Sequence, residues 1–404
     1  MIEAERTHTA IPTKKRQRII GHLKGPHSGP TVVFFAGIHG NEPAGVKALE
    51  HCFAALAGEV NAMKGQCYGI LGNLKALDQN VRFLDEDLNR MWLPHRLGSL
   101  RQDQAQCNAE EAEMVELYHL LQDIISNAPP PFYVIDLHTT SGETAPFVVM
   151  NDSLLNRRFT QQYPLPVILG IEEYLTGALL SHINERGYVA FGFESGQHES
   201  PEAVKNALTF IHYTLGLVGV VDVNDEALER WRVKLARTAN TAHRFYEIYY
   251  QHLLRPDVPF TMQPGFVNFE SVPKGTLIAK EGGRPIIVEK RRQLFMPLYQ
   301  DSGYEGYYFI RSIPAVFLWL SKYLRKAKLD SVLAWLPGVR WASPKKSALI
   351  VDKRIARFFA KSFFHLLGYR TREIDAAQLV LHSRERPSRK ADYKKERWYG
   401  KPRS

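Results

Sequence analysis

Residues 31–36, TVVFFA, form an unbroken apolar run rich in β-branched and aromatic side chains and ending at Gly37. A short run without polar alternation predicts a strand covered on both faces, as in a parallel sheet between helical layers. After the loop GIHGNE, Pro43 stands where a first helical residue would, and AGVKALEHCFAAL continues as a helix. The pattern repeats. QCYGILG (66–72) predicts a second strand, AEEAEMVELYHLLQDIIS (109–126) an amphipathic helix, FYVIDLH (132–138) a third strand, and PFVVM, PVILG and YVAFGFE further strands. Alternating strands and helices make a layered α/β body of about 220 residues, with strand-end loops free for chemistry.

Beyond residue 255 the texture changes to short β-type runs cut by Pro and Gly, with no long helical period. VPKGTLIAK and GGRPIIV share this texture with a lipoyl-type sandwich, but no lysine sits in the required tight turn, and lipoylation is set aside. From Ser312 onward, apolar and aromatic stretches alternate with basic residues. In 352–369, Ile355, Phe358, Phe359, Phe363 and Leu366 share one helical face, and Arg354, Arg357 and Lys361 another. The expected organisation is an α/β body over 1–225, a connecting helix and small all-β subdomain over 226–312, and a basic helical extension over 313–404. The last twenty residues are expected to be mobile.

Hydrophobic residues at 45% and charged residues at 23% of 404 fit a globular chain and exclude disordered and fibrous classes. No apolar run approaches the roughly 20 residues that span a bilayer, and MIEAERTHTAIPTKKRQ has no signal-peptide core, so a cytoplasmic location is expected. Cys52, Cys67 and Cys107 include no CxxC pair and suggest neither a disulfide framework nor a thiolate zinc site. The net charge of +10 is concentrated in residues 321–404, which leaves the preceding body mildly acidic and argues against a nucleic-acid binder as a whole.

The sharpest local feature is GIHGNEPAG, with His39 and Glu42 three apart just after a buried strand. Two His and one Glu, with a position left for water, is a ligand set of hydrolytic zinc. His138 ends the strand FYVIDLH, and strand ends of an open α/β sheet converge on one edge, so it is placed to be the third ligand. Asp136 has the parity to point the same way and accept the second imidazole proton. His182 and Glu185 repeat the His39 spacing inside a probable helix with no buried strand before it, and are read as a decoy. VRFLDEDLNR brings Arg82, Asp85, Asp87, Asn89 and Arg90 together, a set that would grip a carboxylate or an oxyanion beside a metal. Read without the metal motif, it is a solvated charged loop with internal ion pairs. Glu194, after the apolar strand of FGFESGQ, would have its pKa raised by shielding from water and could serve as a general base.

Taken in order, GxHGNEP, RFxDxDLNR, DLHTTSG and GFESG resemble the succinylglutamate desuccinylase and aspartoacylase family of the zinc carboxypeptidase superfamily, over roughly residues 30–310. The resemblance implies a mixed, mostly parallel sheet flanked by helices, with a smaller β domain partly covering the cleft. It implies one Zn2+ per chain held by His39, Glu42 and His138, with Glu194 activating water and then protonating the leaving nitrogen. Arg82 would polarise the scissile carbonyl, Asn89 and Arg90 would hold a substrate carboxylate, and Asp87 would orient these groups. Where aspartoacylase-like members carry a further arginine, this chain has Asn184, with Arg186 two residues on as a substitute. In YEGYYF, Tyr307 or Tyr308 matches the family's substrate-contacting tyrosine.

The expected activity is zinc-dependent hydrolysis of a small N-acyl amino acid or related carboxylate-bearing substrate. A carboxypeptidase or esterase on the same scaffold, and a non-catalytic binding protein acting through the tail, are the alternatives. For the basic extension, amphipathic helices packed on the body or forming a homo-oligomer contact are the leading reading, ahead of contact with an anionic membrane or nucleic acid.

Overall fold

The computed structural model describes residues 16–99, 107–239, 244–327, 330–335, 337–342, 346–352, 354–355, 361–373 and 378–400. Its strands are β1 (Ile19–Lys24), β2 (His27–Ala36), β3 (Lys64–Leu71), β4 (Phe132–Thr140), β5 (Phe147–Met150), β6 (Val167–Leu169), β7 (Val189–Gln197), β8 (Phe245–Leu253), β9 (Phe260–Met262), β10 (Ser271–Val272), β11 (Leu277–Glu281), β12 (Arg284–Ile287), β13 (Arg292–Phe295), β14 (Glu305–Ser312), β15 (Val339–Trp341), β16 (Ala348–Asp352), β17 (Tyr369–Glu373) and β18 (Gln378–Ser383). An 11-stranded sheet runs β1-β3-β2-β4-β7-β5-β6-β8-β14-β13-β10. Parallel ladders join β3, β2, β4 and β7 at its centre, and β5 pairs antiparallel with β7.

The apolar runs are continuous because the sheet is covered on both sides. Val32, Phe34, Ala36, Tyr133, Ile135 and Leu137 face one core layer, under the helices Pro43–Leu56 and Pro201–Leu217. Val33, Phe35, Phe132 and Val134 face the other, under the helix Ala109–Asn127. Residues alternate sides along each strand, so both faces must be apolar. All the strands expected in this body are present.

The small β subdomain is present, but it is not a separate sheet throughout. β8, β14, β13 and β10 continue the large sheet by antiparallel pairing, and only β9, β11 and β12 form a sheet of their own. Its texture of short runs reads the same in either arrangement.

The expectation of a helical extension is overturned. After the helix Ala315–Lys326, residues 339–383 build a four-stranded sheet, β15-β16-β18-β17, around Leu349, Val351, Tyr369 and Leu381. ALIVD and QLVLHS are strand sequences by their β-branched content. Among the described residues of the run 352–369, Lys361–Leu366 is helical, and Gly368 follows at φ +82°. Ile355 is exposed, and Arg357, Phe358 and Phe359 lie outside the described residues. Nor does the chain's end hang free over residues 384–400. Tyr393 and Trp398 are buried in the body, Val189 N donates to the Tyr393 hydroxyl at 2.9 Å, and Trp398 Nε1 donates to the Tyr133 hydroxyl at 2.8 Å. The charge imbalance also has a structural use. Arg325 pairs with Asp152 at 2.7 Å and with Glu385 at 3.2 Å, and Arg384 lies 2.7 Å from Glu172. Arg325 and Arg384 of the extension are thus paired with Asp152 and Glu172 of the body.

No described helix is long and apolar enough to cross a membrane.

Candidate metal centre

The site is built where β2, β4 and β7 end side by side. Gly37 takes φ +68°, and a Cβ on Gly40 would stand about 2.1 Å from the Ala76 backbone. The GIHG loop therefore turns sharply and packs close, which swings His39 back over the sheet edge. Glu42 occupies the N-cap of the Pro43–Leu56 helix without capping it, and its carboxylate points into the site instead. Among the described residues, His39, Glu42 and His138 form a buried group able to hold a metal ion, with ligand atoms within 4.8 Å of one another.

Each imidazole lies between two carboxylates. His39 Nδ1 is 2.7 Å from Glu42 Oε1, and its Nε2 is 3.1 Å from Asp87 Oδ1. His138 Nδ1 is 3.1 Å from Glu42 Oε2, and its Nε2 is 2.7 Å from Asp136 Oδ2. Thr139 N also donates to Glu42 Oε2, at 2.8 Å. Both Nδ1 atoms thus face the Glu42 carboxylate, and both Nε2 atoms face an aspartate that fixes ring orientation, as metal-binding histidines require. Burial alone would raise the Glu42 carboxyl, but His39 and His138 hold it well below the usual range. Burial would lower His138, yet Asp136 and Glu42 raise it well above. Burial likewise works against Asp87, which His39, Arg82 and Arg90 keep ionised. The donor set fits a divalent cation: two imidazoles and a carboxylate converge, each imidazole has an aspartate behind it, and the local acids exceed the local arginines.

Glu194 faces this group from the neighbouring strand, being the register partner of His138 across β4 and β7. It is 6% exposed, and its Oε2 has no hydrogen-bond partner. Burial, only partly offset by His138 and reinforced by Glu42 and Asp136, pushes its carboxyl up to about 8.

The 82–90 loop is held from behind. Glu110 accepts from Leu84 N at 2.7 Å and Asp85 N at 3.0 Å, while Glu86 pairs outward with Arg96. The charged-loop reading is therefore right for Asp85 and Glu86, and the alternate members turn inward. Arg82 Nη2 donates to Asp87 Oδ2 at 3.1 Å, and its Nη1 lies 3.6 Å from Glu42 Oε1. Asn89 Oδ1 accepts from Leu179 N at 3.0 Å. Arg90 reaches both Glu305 oxygens at 3.3 Å.

A cavity of about 110 Å³ connects these groups, lined among others by Arg82, Asn89, Arg90, His138, Glu194 and Tyr308. Tyr308 belongs to it and Tyr307 does not, because successive residues of β14 point to opposite faces. Tyr307 stacks on His252 at 4.9 Å instead. Arg186 is also outside: its guanidinium pairs with His182 and lies 5.7 Å from the centroid of the Tyr118 ring. Asn184 serves the scaffold, donating to Leu180 O at 2.8 Å and to Ala190 O at 3.0 Å. His182 lies in the short helix Leu179–Asn184 near Trp92 and Tyr118 and takes no part in the His39–Glu42–His138 group.

The lining residues beyond those expected include His198, Gln300 and Glu305. His198 Nδ1 is 2.8 Å from Thr139 Oγ1, and its Nε2 is 3.1 Å from Gln300 Oε1. Asn41 Nδ2 donates to the same Gln300 oxygen at 3.0 Å. Glu305 stands at the start of β14 against Arg90. The only available signal was proximity: His198 follows Glu194 by four residues and Glu305 opens EGYYF.

Comparison with known proteins agrees with this geometry. Residues 28–179 match the succinylglutamate desuccinylase/aspartoacylase catalytic domain. The succinylglutamate desuccinylase of Photorhabdus laumondii is 28% identical over 264 residues, covering 61% of this chain and 77% of that protein. That of Pseudoalteromonas atlantica is 25% identical over 276 residues, covering 63% and 73%. Among solved structures, the succinylglutamate desuccinylase/aspartoacylase of Rhodobacter sphaeroides shares the fold at a TM-score of 0.53 and 17% identity, covering 72% of this chain and 88% of that one. With the four motifs in order and their residues gathered at one sheet edge, the chain carries over residues 28–179 a catalytic domain of the succinylglutamate desuccinylase/aspartoacylase type.

Proposed function

We propose that this protein is a zinc-dependent hydrolase that cleaves the amide bond of a small N-acyl amino acid or related carboxylate-bearing substrate. The observation that carries the reading is the convergence of His39, Glu42 and His138 opposite the unpartnered Glu194 carboxyl, in a cavity that also holds two arginines. When bound by His39, Glu42 and His138, zinc supplies Lewis acidity and makes water acidic enough to attack near neutral pH.

The chain's own groups do the rest. Glu194 Oε2 takes a proton from the attacking water and returns it to the departing nitrogen, a role suited to a carboxyl raised toward neutral pH. Arg82 directs N–H donors to the region where oxyanion charge develops, and loss of such a donor costs about 10²–10³ in turnover. Arg90 and the amide nitrogen of Asn89 bind the substrate carboxylate, with Tyr308, whose phenol burial holds protonated, donating beside them. Asp87 and Asp136 orient the two imidazoles.

A second reading has its own support. An open groove of about 1010 Å³ shares Ser141, His198 and Gln300 with the cavity, room enough for a peptide or a long acyl group. The test is a panel of N-acyl amino acids and short peptides with zinc-loaded enzyme. Turnover of small N-acyl amino acids supports the first reading, preference for peptides the second, and no hydrolysis of either rejects both.

A further inference from the structure

The helix Ala315–Lys326 packs Leu318 on the body and Leu324 on the core of the four-stranded sheet, and turns a second apolar face outward. By helical spacing Val316, Trp319, Leu320 and Tyr323 share one face. That face looks to solvent, with Val316 61%, Trp319 58% and Tyr323 51% exposed. Trp319 and Tyr323 touch only side by side, ring centroids 4.6 Å apart. The opposite face carries Ser321 and Arg325, both buried. Ser321 Oγ donates to Leu366 O at 2.8 Å, and Arg325 is held by Asp152 and Glu385. An ordinary surface helix turns its apolar stripe to the core and its charges to water. Here the polar anchors together with Leu318 and Leu324 seat the helix, and the aromatic stripe is left for a different surface.

Cations border that stripe. Lys322 and Lys326 are exposed, have no ion pair among the described residues, and the helix contains no acidic residue. Both also line a cavity of about 270 Å³ together with Arg157, Arg158, Leu318 and Phe245. Arg157 Nη2 donates to Asp152 Oδ2 at 2.7 Å, but its Nη1 is buried without any partner. A cavity half apolar and half cationic, with an unpartnered guanidinium nitrogen, suits a phosphate joined to hydrocarbon.

We propose that this face docks on an anionic phospholipid bilayer. The Val316–Trp319–Tyr323 stripe enters the interface, and the exposed Lys322 and Lys326 meet lipid phosphates. Twelve residues make a helix of about 18 Å, too short to span a bilayer and suited to lying in its plane. A second copy of the chain is a poorer occupant, because self-docking would bring the two lysine pairs together with no acid from the helix to offset them.

The test is cosedimentation of the full chain with vesicles of phosphatidylcholine alone and of an equal mixture with phosphatidylglycerol. The wild type is expected to sediment with the mixed vesicles only, and less at high salt. At about 1 kcal/mol per cation near an anionic surface, K322Q/K326Q should lower the partition coefficient about 30-fold. W319S/Y323S should lower it too, with an unchanged melting temperature because both rings are exposed. Absence of wild-type binding to the mixed vesicles overturns the proposal, as does wild-type binding by either double variant. A dimer in light scattering that W319S/Y323S dissolves while vesicle binding persists assigns the stripe to self-association and overturns it as well. So does equal capture of single-stranded RNA that depends on the lysines but not on the rings.

Discussion

Replacing Glu194 by Gln should stabilise the metal-free protein, and by an amount that depends on pH. In the folded chain the Glu194 carboxyl is buried beside Glu42 and Asp136 and is pushed from 4.5 to about 8. Between these two values the folded state holds a proton that the unfolded state has released. Stability associated with Glu194 is therefore full below about pH 4.5 and is lost as pH rises toward 8. That interval, at about 1.36 kcal/mol per pH unit, corresponds to at most about 5 kcal/mol, of which about 3 kcal/mol is already lost at pH 7. Gln has the shape of the protonated acid and does not titrate, so the variant escapes this loss. At about 2.1 cal/mol/K of unfolding entropy per residue, 404 residues turn 3 kcal/mol into a rise in melting temperature of about 4 °C. The assay is thermal unfolding of chelator-treated wild type and Glu194→Gln between pH 5 and pH 8.5. The variant's advantage should be close to zero at the acid end and grow steadily. Zinc should shrink it, since a nearby divalent cation stabilises the ionised carboxylate. An advantage independent of pH, or a variant less stable than wild type at pH 8.5, refutes the assigned environment. A gain in stability accompanied by a loss of turnover is the pattern expected when a carboxylate is kept in a costly place for its chemistry.

Further outcomes concern binding and packing. Arg90→Ala should raise KM for carboxylate substrates about tenfold or more with a smaller change in kcat, whereas Glu305→Gln, which releases Arg90 from its carboxylate partner, should lower that KM; steady-state kinetics on both variants checks the pair. Trp398→Ala should cost about 3–5 kcal/mol because it empties a buried site against Tyr133 and Phe159, and a denaturation midpoint equal to wild type would mean that the chain's end does not pack there.

How much of this was legible in the sequence depended on the range of the interaction. Buried strands announce themselves through unbroken apolar runs, and the candidate ligands follow from them: His39 and Glu42 lie in the loop after β2, and His138 near the end of β4. Strand ends meet at one edge whatever the intervening chain does. Asp136 followed from period-two parity with His138, a local rule that holds inside a strand. The same rule decides between Tyr307 and Tyr308, but only when the strand's facing is known, and facing is set by pairing of β14 with β8 and β13. Arg186 fails because its guanidinium is taken up by His182, one helical turn earlier, and lies by Tyr118 of a distant helix. The extension was misread because amphipathic basic stretches admit both a helical and a strand period. What settles the matter is long-range pairing of β16 with β18, together with burial of Arg325 and Arg384 against acids far away in sequence. No local pattern reports such partners.

The central claim is that one divalent ion sits between His39, Glu42 and His138, and metal analysis of purified protein tests it most directly. About one zinc per chain is expected in the wild type and in Glu194→Gln, and loss of that zinc in His39→Ala while the fold is retained. Stoichiometric zinc in His39→Ala, or a wild type that neither carries nor takes up a divalent ion, would contradict it.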